Sequence, residues 1–179
     1  MSQPTPKEVW EYYLAAQEAF SAYHRQLRSD LGLSSQGASQ FFGMTGSELD
    51  RAFEEMSKEL GLQVALTLVA AVEALLMLDY QKRMEDGIKD ALYSRMLIRW
   101  QKPTRATLDE ILEAWKEAYP GTGDVIGRFK QVVDLRHWMA HGRYWLPQGF
   151  KGLDPSAVID RARAMEIGMK GSMPALITW

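Results

Sequence analysis

The stretch that most constrains this chain runs from Leu62 to Leu78, 17 residues in which Gln63, Thr67 and Glu73 are the only polar side chains. That length is at the short limit for crossing a bilayer, and a carboxylic acid sits near its middle, so the run predicts a helix buried in a protein core. A helix so apolar needs other elements to cover it. The rest of the sequence supplies them: Val9, Tyr13, Ala16, Phe20, Tyr23 and Leu27 recur at alternating intervals of four and three, which places one apolar stripe on a first helix of about six turns. β-Branched clusters bounded by turn residues are scarce throughout. The expected fold is all-α, a bundle of about five to seven helices forming one domain over residues 1–179, with 168–179 as a tail assigned to no element.

Punctuation divides the chain further. Residues 32–46 are rich in Gly, Ser and Gln and contain Phe41-Phe42, which reads as a loop pinned by aromatic contact. Ser47 is the expected cap of a second helical region that passes through Leu60 into the apolar run and stops before Gly87, with Gly61 a point where it kinks or splits. A helix from Asp90 to Trp100 ends before Pro103. Thr107-Leu-Asp-Glu110 is a capping-box pattern for a helix reaching Tyr119 and stopping at Pro120-Gly121. Asp124 is the expected cap of the next helix, which carries Val125, Phe129, Val132, Val133 and Leu135 and meets Gly142. Asp154-Pro155 then opens a last helix to about Ile167.

Charge and cysteine content exclude several classes. The formal net charge of −2 lacks the basic footprint of a protein that coats nucleic acid, so any such contact must be local, for example around Arg128, Lys130, Arg136 and Arg143. With no cysteine, disulfides and thiolate metal sites are ruled out. The first residues show no basic segment followed by an apolar core, so the expectation is cytoplasmic residence without membrane association.

The chemistry concentrates in Arg136-His137-Trp138-Met139-Ala140-His141-Gly142, which holds two of three histidines beside an arginine at a helix end. Imidazole titrates near neutral pH, and a guanidinium stays charged and grips two oxygens at once. Spacing alone is weak evidence: 12 arginines and three histidines in 179 residues give about 0.2 chance pairs at any one separation. The setting adds weight, because a polar residue follows Arg136 directly and the motif closes a late helix in an all-helical chain. In these respects the chain resembles the HEPN family of small helical ribonuclease and nucleotide-binding domains, closely over Asp134 to Arg143 and loosely in its overall helical plan. The resemblance implies a homodimer that joins two motifs and cuts RNA without a metal or other cofactor. It also implies Arg136, His137 and His141 as site residues, and it is compatible with an antitoxin-like protein partner.

In such a reaction a histidine, His141 first, takes the proton of a ribose 2′-hydroxyl, and that oxygen attacks the adjacent phosphorus. Arg136 stabilises the charge that builds on the phosphoryl oxygens, and a paired acid protonates the leaving 5′-oxygen. His137 orients the substrate or shares the proton transfer. Arg143, Tyr144 and Lys130 are candidate RNA contacts; Trp138, Tyr144 and Trp145 either stack on bases or pack in the core or against a partner. Positions five apart lie about 140° apart on a helix, so Arg136 and His141 cooperate only if the helix breaks near Gly142 or a second subunit completes the site. Two rivals stay open. Asp134, His137 and His141 share a helix face and form a metal-ligand set if Glu73 or another group joins them. Alternatively, the chain is a non-catalytic module of the same type that binds RNA, a nucleotide or a protein. Glu73 needs a partner if buried, and Arg136 or Arg83 can provide it.

Overall fold

The apolar run forms the middle of a single helix, α2 (Gly46–Asp86), whose 41 residues extend about 60 Å. Val64, Ala65, Leu68, Val69, Ala71, Val72 and Leu76 are buried along one side, whereas Gln63 and Thr67 face outward. The computed structural model describes residues 4–29, 39–99, 106–140 and 155–169. Within them the chain is an all-α bundle: α1 (Pro6–Ser29), α2, α3 (Ala91–Arg99), α4 (Leu108–Ala118), α5 (Gly123–Ala140) and α6 (Pro155–Met169). By length and composition α2 is apolar enough to cross a membrane; in this fold it is the central helix, packed by α1, α4, α5 and α6.

Several boundaries differ from expectation, each for a local reason. The cap of α2 is Thr45, not Ser47: Thr45 takes the Glu48 N–H on its side chain, and the Glu48 carboxylate takes the Thr45 N–H at 2.7 Å. Ser47 lies inside the first turn. The helix runs unbroken through Gly61, because a glycine costs only about 1 kcal/mol relative to alanine while each buried aliphatic beside it contributes about 1.5–3 kcal/mol. α5 grows directly out of a one-turn 3-10 helix, Pro120–Thr122, so Asp124 is a first-turn residue paired with Arg128 at 2.9 Å instead of a cap. The Thr107 and Glu110 box stands as read, and Gly87 ends α2 at φ 62°, a left-handed geometry that favours glycine.

The stripe on α1 serves two cores. Val9 and Tyr13 enter the main core with α2, but Phe20 and Leu27 pack against a separate cluster of Phe41, Leu49 and Phe53. The amino-terminal third of α2 and the second half of α1 thus form a two-helix arm with its own small core. Phe41 is the pinning aromatic, its ring 5.3 Å from Phe53, while Phe42 is 81% exposed. His24 stacks on Phe53 at 4.6 Å and hydrogen-bonds Asp50 at 2.9 Å, and Arg28 also grips Asp50, so polar contacts tie the two helices where the apolar seam thins.

At the other end of α2 a charge is buried outright. Arg83 is 0% exposed; its Nε donates to Asp79 at 2.6 Å, it pairs with Asp90 at the start of α3, and its guanidinium lies 5.6 Å over the Trp115 ring of α4. One side chain therefore joins α2, the turn into α3, and α4. Burial holds the Asp79 carboxyl above the usual range despite the pairing with Arg83.

Candidate functional site

Arg136 lies on the flank of α5 that faces α2. Val132, Leu135 and Met139 fill the seam between the helices, and Arg136 borders it with Leu66 and Val69. Across the seam is Glu73. The Arg136 Nη1 donates to Glu73 Oε1 at 3.0 Å and lies 2.7 Å from Oε2, with the glutamate side chain 15% exposed and the arginine 37%. Of the two partners open to Glu73, Arg136 is the one it meets, and Arg83 is committed to Asp79 and Asp90. Burial pushes the Glu73 carboxyl above the usual carboxylate range, and the charges of Arg136 and His137 offset only part of that rise. The pair uses one guanidinium nitrogen, so the fork's other donors are not consumed by Glu73.

The other site residues disperse around α5. His137, the next residue, lies on the exposed side, and Asp134 is exposed as well. Among the described residues no three His, Cys, Asp or Glu side chains gather as a metal-ligand group. His141, Gly142, Arg143, Tyr144 and Trp145 lie outside the described residues, and with them the expected helix break and the third member of the Asp134, His137, His141 set. Trp138 is half-buried and packs on the main core.

Lys130 faces α4, where it meets Glu113 at 2.9 Å and Asp109 at 3.2 Å. Burial alone lowers the pKa of its ammonium; the bonds to Glu113 and Asp109 outweigh that and leave it above the usual lysine range. Contact with a phosphate there means competing with two carboxylates. Arg128, Lys130 and Arg136 consequently do not form one basic patch: each is paired with a different carboxylate set, within α5, on α4 and on α2. The helix turns about 100° per residue, so nearness in sequence separates these cations instead of grouping them.

Two clusters escaped the sequence reading. The pairing of Asp79, Arg83 and Asp90 had a partial signal in an Asp and Arg four apart on a helix, the spacing at which side chains meet. The bond between His24 and Asp50 had none, because it depends on how α1 folds back along α2. Compared with family models, curated proteins and solved structures, the chain finds no match.

Proposed function

We propose that this chain is a metal-independent endoribonuclease of the HEPN type that works as a homodimer. What supports the reading is Arg136 itself: a guanidinium near the end of α5, fixed from behind by the half-buried Glu73 through one nitrogen, with His137 beside it on the exposed side. A cation held in one orientation by a carboxylate is preorganised for charge that develops on a phosphoryl group. His141 follows five residues on as the acid/base. It takes the 2′-hydroxyl proton, the 2′-oxygen bonds to phosphorus, the bond to the 5′-oxygen breaks, and a proton returns to that oxygen. The products are a 2′,3′-cyclic phosphate and a 5′-hydroxyl end.

The same ion pair favours one other reading, a non-catalytic binding module, because Glu73 neutralises Arg136 before any phosphate arrives. Incubating the purified protein with RNA in excess chelator separates the two. Cleavage that leaves 2′,3′-cyclic phosphate ends and disappears in His141→Ala supports the enzyme. Intact RNA after prolonged incubation with a dimeric, folded sample rejects it and leaves the binding module.

A further inference from the structure

Away from Arg136, the groove between α1 and α2 opens into a cavity of about 380 Å³. Val9, Leu60 and Val64 provide its apolar walls, and Tyr12, Gln63 and Glu8 bring polar atoms to it. We propose that this cavity binds a nucleobase carrying an exocyclic amino group, adenine foremost, with Tyr12 stacking on the ring while Gln63 and Glu8 read its edge.

The volume is at the lower end of the range for small-molecule sites, enough for one ring system and part of a sugar. Tyr12 is 67% exposed, a large aromatic left at the surface beside a concave apolar wall. Aromatic faces bind bases with little dependence on sequence, so stacking alone gives affinity without choice. The choice comes from the edge groups. Among the described residues the Gln63 carboxamide makes no hydrogen bond, and its adjacent donor and acceptor match the acceptor and amino donor on the adenine edge. The neighbouring carboxylate is acceptor-only: Glu8 Oε2 takes the Thr5 N–H at 2.7 Å and the Thr5 hydroxyl at 2.9 Å, and these bonds leave Oε1 unused. The Thr5 backbone bond and then its hydroxyl bond hold the Glu8 carboxyl below the usual range, so it stays anionic.

An anionic lining group repels phosphate and uracil carbonyls and accepts from an amino group. The ligand is therefore recognised by its base, with any phosphate outside the cavity. That base comes from an RNA strand or from a free nucleoside. For RNA the proposal rests on the ribonuclease reading, and it sits conveniently for it: Gln63 precedes Glu73 by ten residues, about 15 Å along the same helix.

The test is methyl and amide NMR on the full chain, titrated with adenosine, cytidine, uridine and an uncleavable 2′-O-methyl oligoadenylate. The expected result is saturable shifts at Val9, Val64 and Thr67, tighter for adenosine than uridine. Tyr12→Ala should weaken adenosine about tenfold, and Gln63→Ala should level adenosine with uridine. Both residues are exposed, and thermal melts by circular dichroism verify that each variant folds. Tighter binding of the oligoadenylate than of adenosine assigns the site to RNA, and the reverse assigns it to a free nucleoside; either carries the proposal. Absence of saturable shifts with all four probes, or unchanged adenosine binding in both variants, overturns it. Loss of the ribonuclease reading shows separately, as no RNA cleavage with adenosine binding intact.

Discussion

Replacing Arg136 by Met isolates the charge at the seam between α2 and α5, because methionine keeps most of the aliphatic stem that packs by Leu66 and Val69. Breaking a fully buried pair costs about 3–5 kcal/mol, and exposed pairs contribute about 0–1 kcal/mol. Glu73 is 15% exposed and Arg136 37%, so solvent screening discounts the buried figure to about 1–2 kcal/mol at pH 7. In urea that moves the midpoint by roughly half to one molar. The pH dependence follows from Glu73, whose folded-state pKa lies above the ordinary glutamate value through burial. Ionising such a group weakens the fold as pH rises through the folded pKa, and removing Arg136 raises that pKa further. The deficit of Arg136→Met should therefore be full at neutral pH and shrink as pH falls toward the ordinary glutamate range. Adding Glu73→Gln removes the stranded carboxylate and should restore most of the loss at pH 7. An equal deficit at pH 7 and pH 5, or a double variant no more stable than the single one, refutes the reasoning.

Other outcomes follow from the same contacts. In an RNA cleavage assay, His141→Ala should lose about 10²–10⁴-fold with helical content retained by circular dichroism, and Arg136→Lys should also fall because an ammonium cannot reproduce the planar fork. Arg83→Met strands Asp79 in the core and should cost about 3–5 kcal/mol by chemical denaturation, far more than its counterpart at Arg136. Phe53→Ala should raise amide hydrogen exchange at the start of α2 and the end of α1 and leave the main core protected, since Phe53 belongs to the arm's own cluster. Thr107→Ala should cost about 1 kcal/mol through loss of a capping box.

What the sequence disclosed was mostly local. Gly87 and the box of Thr107 and Glu110 are signals written within four residues, and both mark real ends. The same rule, applied strictly, selects Thr45 over Ser47, because Thr45 has Glu three residues on and Ser47 has Asp50. Glu73 stood out as an acid in an apolar run, yet its choice between Arg136 and Arg83 was a question of packing. Arg83 found a carboxylate one turn back on its own helix, which left Arg136, 63 residues away, for Glu73. The division of α1 between two cores was invisible for a related reason. A continuous stripe specifies which face is covered and does not say by what.

That distinction bears on α2. Only 44% of its most apolar 18-residue stretch is buried, although the bundle needs one face of it alone. Leu62, Leu66, Ala70 and Met77 are half-buried and lie within about 60° of Glu73 around the helix, so among the described residues apolar side chains continue past the fully buried face on the side where Glu73 meets Arg136. Leu62, Leu66 and Met77 also pack against the main core, so folding of one chain uses this surface only in part. In the proposed homodimer this surplus has a use: covering it with a second copy removes apolar surface from water and strengthens the ion pair by excluding solvent. Substituting Leu66 and Met77 with glutamine should then reduce dimer mass in analytical ultracentrifugation while the monomer stays helical. A dimer of unchanged strength would place the subunit contact elsewhere and separate it from Arg136.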